Sequence, residues 1–169
     1  MEKIRLLVPY EDKDIAKALG AIWDYKEKYW FITNEENYPI ELFNKWLPVY
    51  QNPTLFIDLI PQNSWFTNLR SELTEEEWKN IKSYIYKRAN YCCEICGGKG
   101  DKHPVEAHER WEYNQDNLTQ KLIGIQALCP SCHLVTHFGS ANVQGRHEEA
   151  KIHLLTINNW TEEEFEEHY

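Results

Sequence analysis

Residues 127–137 read ALCPSCHLVTH, two cysteines three apart and then two histidines four apart. Upstream, residues 93–98 read CEICGG. The chain therefore carries two CxxC pairs, Cys93/Cys96 and Cys129/Cys132, with Cys129 standing 33 positions beyond Cys96. A tight turn brings residues three apart within chelating distance. Gly97 and Gly98 let the backbone wrap the first pair, so that its N–H groups face the thiolates. Four thiolates suit tetrahedral zinc at Zn–S distances of about 2.3 Å, with an iron–sulfur cluster as the less favoured alternative. A metal closed in by four protein sulfurs has no position left for water or substrate. The cysteines thus account for folding and not for function. Cys92 is left over, and five cysteines with two CxxC pairs indicate metal binding rather than a disulfide framework.

The histidines add a second question. His103, His108, His133 and His137 lie near or between the cysteine pairs. If Pro130–Cys132 opens a helix, His133 and His137 share one of its faces, an arrangement fit for a second metal or a phosphate. Residues 103–114, HPVEAHERWEYN, alternate enough to form strand, with His108 upon it. The plain reading makes His108 a satisfied core histidine and His133 a surface residue or a substitute zinc ligand. Three histidines in this frame favour instead a compact catalytic centre, a strand histidine meeting helix histidines across a metal-held turn.

Composition sets the outer bounds. A hydrophobic share of 42% with a charged share of 27% is that of a soluble globular protein. No apolar run approaches the roughly 20 residues of a membrane helix, and the N-terminus has too short an apolar segment for a secretory signal, so the expected location is the cytoplasm. The net charge of −9 argues against nucleic acid until it is placed along the chain. Residues 148–169 hold 7 acidic side chains against 1 basic, whereas residues 51–147 hold 11 against 10. The excess belongs to an acidic tail ending TEEEFEEHY, and the middle of the chain is nearly neutral.

The organisation reads as α+β, beginning with a small β-α-β-β-α module over residues 1–48. IRLLV (4–8) suits a strand ended by Pro9. EDKDIAKALG (11–20) suits a helix with Ile15, Ala18 and Leu19 on its apolar face and Gly20 as its stop. AIWDYKEKYWFI (21–32) reads as a hairpin, and a second helix from about Tyr38 to Trp46 closes the unit. Trp23, Trp30, Phe31 and Trp46 are expected in its core rather than as a stacking platform, since so small a module needs bulky side chains. Residues 49–72 form a connecting segment. Thr74 with Glu77 makes a capping box that starts a helix running to about Ala89, with Trp78, Ile81 and Ile85 on one face. A zinc domain follows to residue 160, and residues 161–169 are the tail.

Two resemblances bear on function. The stretch VPYEDKDIAKALGAIWDYKEKYWFI (8–32) resembles a small domain family of unknown function often attached to primase-like and plasmid-transfer proteins. Its pattern is a strand, VPY, an acidic helix ending AKALGA, then WD and K.W. That implies association with DNA-handling proteins, or a protein partner, and supplies no catalytic residue. From about Asp58 to Trp160, the segments DLIPQNSWFTNLRS, EEWKNIKSYIYKRANYCCEICGG, HPVEAHERWEY, QKLIGIQALCPSCHLVTHFG and GRHEEAKIHLLTINNW resemble a bacterial branch of the HNH nucleases. The resemblance implies a zinc-stabilised ββα-metal fold, treble-clef-like, with flanking helices. It implies a hairpin and helix holding one divalent metal such as Mg2+, Mn2+ or Ni2+ beside the structural zinc.

The implied chemistry is hydrolysis of phosphodiester bonds in DNA, with a strand histidine as general base and the metal stabilising phosphate and leaving oxygen. His108 falls at the base, His133 at the final metal ligand, and His137 at a position for metal or phosphate. Two positions depart from the pattern. Ala107 stands where a metal-binding Asp or His is usual, and Gly124 where a central asparagine is usual. Either Glu109, Glu106 or Asn117 replaces the missing ligand, with Glu109 preferred, or the centre is a catalytically impaired nucleic-acid-binding or protein-interaction module. Strict alternation would point Glu109 away from the face of His108, while Glu106 would share it. Arg70 and Arg146 are candidate nucleic-acid contacts, since a guanidinium meets phosphate with two hydrogen bonds. Trp111 and Tyr113 are expected to pack rather than stack on bases.

Overall fold

The first hairpin is set by an aspartate. In the computed structural model, which describes residues 2–33, 39–48, 54–65 and 68–169, strands β2 (Ile22–Asp24) and β3 (Tyr29–Thr33) join through a turn. There Asp24 Oδ1 accepts the N–H groups of Lys26 and Glu27 at 2.9 and 3.0 Å. Its other oxygen takes the Lys3 ammonium at 2.6 Å from strand β1 (Lys3–Leu6). The three strands form an antiparallel sheet in the order β1-β3-β2. One face carries Ile4, Leu6, Trp30 and Ile32 onto Ala16, Phe43 and Trp46. The helix expected after Pro9 forms as a 3₁₀ turn (Tyr10–Asp12) running into α1 (Lys13–Ala18). Its buried contact is Ala16 and not Ile15, which is 51% exposed. Apolar spacing on six residues is too short a record to fix the face. The second helix is a 3₁₀ segment, Ile40–Trp46, entered from Pro39; the expected start at Tyr38 lies outside the described residues. Trp46 and Phe31 are buried as expected, whereas Trp23 and Trp30 stay partly exposed, edge to face at 5.4 Å.

Helix α2 (Glu75–Arg88) begins at the Thr74–Glu77 capping box and ends at Ala89, as its sequence predicts. Trp78, Ile81, Ile85 and Ala89 cluster with Val105 and with Ile125 and Ala127 of the second sheet. That sheet is a long hairpin of β4 (Glu106–Asn114) and β5 (Thr119–Leu128), with His108 opposite Gln126 and a bulge between Arg110 and Trp111. Helices α3 (Pro130–Thr136), α4 (Phe138–Val143), α5 (His147–Asn158) and α6 (Glu162–His168) complete the chain. Among the described residues no helix is long and apolar enough to cross a membrane.

Two boundaries differ from expectation. The connecting segment is part of the second domain, because Leu55 and Ile57 are buried in the same cluster as Cys93, Cys132 and Leu154. Asn158 holds it on both sides, accepting from Leu55 N–H at 3.0 Å and donating to Leu55 O at 2.7 Å. Residues 49–53, 66 and 67 of the segment lie outside the described residues. The acidic tail is likewise a packed helix. Thr161 and Glu164 cap it reciprocally, Phe165 is buried, and its ring lies 5.8 Å from that of Phe138. Charge count hid one aromatic among the glutamates.

A buried ion pair ties helix, knuckle and strand together. Arg88 donates to Glu94 Oε1 and to Ile125 O, each at 2.9 Å. Glu94 Oε1 also accepts Ala127 N–H at 3.0 Å, and Glu94 N–H donates to Ala127 O at 2.8 Å. Between the modules, Tyr84 Oη donates to Lys45 O at 3.1 Å and Asn90 Nδ2 to Val8 O at 3.0 Å.

The tightest approach is at Gly100, where a Cβ would stand 2.3 Å from His103 O and 2.5 Å from the Pro130 ring. Backbone and a ring cannot move aside cheaply. Gly100→Ala is expected to lower stability by about 1–3 kcal/mol. Gly139→Ala, which meets nothing within 4 Å, is expected to be neutral. Thermal denaturation of the two variants checks this, and equal melting temperatures would contradict it.

Candidate metal centre

Two groups of donors converge, one of sulfur and one of imidazole nitrogen. The sulfur group is built from two knuckles. In the first, Cys93 N–H donates to Gly98 O at 2.8 Å and Gly97 N–H to Cys93 O at 3.0 Å, with Gly97 in the left-handed region at φ +72°. Gly98 N–H then points at Cys96 Sγ, 3.4 Å away, as expected of a thiolate-wrapping loop. In the second, Cys129 caps α3 and Cys132 sits in its first turn behind Pro130. The four sulfurs lie within 4.8 Å of one another, Cys96 and Cys129 at 3.6 Å. A tetrahedron of sulfurs about 2.3 Å from zinc has edges of about 3.8 Å.

Electrostatics also call for a cation here. Sulfur hydrogen bonds from Cys132, Cys93 and Cys96 pull the Cys129 thiol well below its ordinary range, while the contact with Cys129 pushes Cys132 above it. One thiolate is favoured only at a neighbour's expense, and a shared dication removes the conflict because it deprotonates coordinating thiols. The donor set therefore fits a structural metal such as zinc. His153 of α5 stands with Nε2 3.2 Å from Cys132 Sγ, a sulfur contact that no spacing in the sequence announced. Cys92 is outside the group, its Sγ 3.4 Å from Asn90 O.

The imidazole group takes His108 from β4, His133 from α3 and His137 from the end of α3. Pro130 does open a helix, and the ring centroids of His133 and His137 lie 4.7 Å apart. His108 is 5.4 Å from the first and 5.0 Å from the second. One ligand nitrogen from each lies within 4.8 Å of the others. His108 Nε2 is buried without a hydrogen bond, although Asp58 Oδ2 is 3.4 Å away. His133 Nδ1 pairs with the Glu106 carboxylate, which leaves its other nitrogen as the ligand atom. Burial holds all three histidines below their ordinary pKa, and the neighbouring imidazoles push the same way. They are thus neutral near pH 7, the form that binds a metal. An orphaned buried nitrogen and three neutral donors fit a divalent ion.

An open cleft of about 330 Å³ leads to this group. It is lined by Asp58, Trp65, Asn68 and Arg70 from the segment before α2 and by Glu109, Trp111 and Tyr113 from β4. Glu109 lines the same cleft as His108, against strict alternation. Its Oε2 accepts Leu69 N–H and Trp111 Nε1–H, both at 2.9 Å. Glu106 serves as partner to His133. Asn117 lies in the β4–β5 turn, accepting from Thr119 Oγ1 at 2.7 Å, and is not among the cleft residues. Arg70 lines the cleft and is exposed. Arg146 does not line it and forks onto Glu149 at 2.9 and 2.7 Å. Asp58 escaped the sequence reading, although an acid inside the apolar run LFIDLI was a visible signal.

Residues 3–48 match the model of a domain of unknown function (DUF5710). This agrees with the resemblance seen in the N-terminal stretch and covers none of the metal donors. No curated protein and no solved structure matches the chain.

The buried histidines make stability depend on pH. Their folded pKa values lie below the unfolded value of about 6.5, so the unfolded chain binds more protons once the pH falls past that value. Their contribution is present above about pH 6.5 and is lost as the pH falls through the folded values. The melting temperature should drop more steeply between pH 7 and 5.5 in the parent protein than in His137→Asn. Acid sensitivity of the thiolates is common to both proteins. Equal slopes would contradict the assignment.

Proposed function

We propose that the chain is a metal-dependent endonuclease of the HNH type that hydrolyses phosphodiester bonds in DNA, with zinc in the four-cysteine site as a structural element. The observation that carries this reading is the convergence of His108, His133 and His137 on one point at the floor of an open cleft. The hairpin β4–β5 followed by α3 supplies that point, in the strand-strand-helix order the resemblance implies. Ala107 and Gly124 do not leave the centre without donors, because three imidazoles are already assembled.

Roles follow from exposure. His108 is 3% exposed, ringed by two histidines and Asp58. A general base must reach water, so His108 is better placed to hold the metal than to act as the base first expected of it. Glu109 lines the cleft, and both its hydrogen bonds fall on Oε2, leaving Oε1 to take a proton from water. Glu106 orients His133, and Arg70 offers a guanidinium to phosphate at the rim. His108, His133 and His137 would hold a divalent ion, which would supply charge stabilisation at the phosphate.

The test is nicking of supercoiled plasmid with Mg2+, Mn2+ or Ni2+. Glu109→Gln should lower cleavage about 10²–10⁴-fold and leave metal affinity nearly unchanged. His108→Ala should lower both. Unchanged metal affinity in His108→Ala would return that residue to the role of base. Absence of cleavage by the parent protein with every metal would defeat the nuclease reading.

A further inference from the structure

The residues that carried the N-terminal resemblance meet at one place the nuclease reading does not use. Tyr10 of VPY, Trp23 of WD, Lys28 and Trp30 of K.W line a single cup of about 450 Å³, together with Lys13 and Tyr25. This is within the size range of small-ligand sites. Val8 and Asn90 complete it, joined by the hydrogen bond from Asn90 Nδ2 to Val8 O at 3.0 Å, so the cup's floor bridges the two modules.

Its chemistry is specific. Tyr10 and Tyr25 are 74% and 86% exposed, an unusual position for aromatic rings with no fold to support. Trp23 and Trp30, register partners across β2 and β3, sit edge to face at 5.4 Å, each partly exposed. Lys13 Nζ lies 3.7 Å from the centroid of the Tyr10 ring, and Lys28 stands at the hairpin end. No carboxylate lines the cup among the described residues. Of the two acids in the hairpin, Asp24 is occupied by Lys3 and by two turn N–H groups, and Glu27 pairs with Lys26 at 3.2 Å. Aromatic faces with two ammonium groups and no anion suit a ligand that is itself flat, aromatic and negatively charged. A cationic ligand would meet two like charges.

We infer that this cup binds an unstacked base of single-stranded nucleic acid, with Trp23 and Tyr25 against the base and Lys13 and Lys28 against flanking phosphates. Stacking on aromatic side chains tolerates any base, and lysines track the backbone. The inference stands apart from the nuclease reading, since it uses no residue of the metal centre.

The experiment is fluorescence anisotropy of a labelled 15-nucleotide oligothymidylate with the full chain and no added divalent ion. Competition by the matching duplex and by thymidine monophosphate is measured in parallel. The expected result is salt-sensitive binding to the single strand, weakened at least about fivefold by Tyr25→Ala and by Trp23→Ala. Tyr25→Ala guards against a folding defect, because that side chain is nearly free of the fold. Lys13→Gln should reduce the slope of log affinity against log salt by about 0.7. Absence of binding, or binding unmoved by all three variants, would overturn the inference. So would loss of binding in Arg70→Ala alone, which would assign it to the cleft. Competition by the monophosphate as strong as by the strand would replace the strand with a free nucleotide and overturn the inference as stated.

Discussion

Four sulfur atoms decide where the rest of the second domain lies. Cys93 and Cys96 follow a helix, and Cys129 and Cys132 start another, 33 residues later. A common metal would tie the end of α2 to the start of α3, with the intervening hairpin folded back between them. Cys93, Cys129 and Cys132 are also members of the apolar cluster that includes Leu55, Val135, Phe138 and Phe165. The metal site is therefore inside the core and not an ornament on it. Binding free energy for such a site is folding free energy, because the unfolded chain presents no assembled sulfurs.

The imidazole centre depends on this arrangement. His133 directly follows Cys132, so the same helix turn aims one side chain into the sulfur cluster and the next toward the cleft. The strand that carries His108 is held by pairing with β5, and β5 is locked in turn by Glu94 of the first knuckle. Glu94 takes Ala127 N–H and the Arg88 guanidinium on one oxygen. Removing one partner of such a buried pair leaves an uncompensated charge, which makes it a strong constraint on register. The distances between histidines are thus set by groups that touch none of them.

Much of this was legible in the residues. The two CxxC pairs, the glycine wrap, the Thr74–Glu77 cap and the His133/His137 face are local patterns, and short-range geometry determines each. What escaped were contacts made across long separations. Asp58 reaches His108 only because Leu55 and Ile57 pack as core, and an apolar run without regular structure does not announce its partners. His153 meets Cys132 through the packing of α5 on α3, which helical periodicity alone cannot give. Phe165 was lost among glutamates because the tail was weighed by charge. Strand alternation would have turned Glu109 away, yet its carboxylate lines the cleft, where it accepts Leu69 N–H from a segment 40 residues upstream. In the first module, bulky aromatics are expected as core, yet Trp23 and Trp30 stay partly exposed and line the cup.

We propose that one short stretch of chain serves two metal centres of different chemistry. Native mass spectrometry of the full chain, recorded after dialysis against a weak chelator and again after addition of Mn2+, tests it directly. The account predicts one retained zinc and one further, exchangeable divalent ion, with His133→Ala losing the second ion and keeping the first. A single bound metal under both conditions, or a second ion that His133→Ala leaves in place, would contradict it.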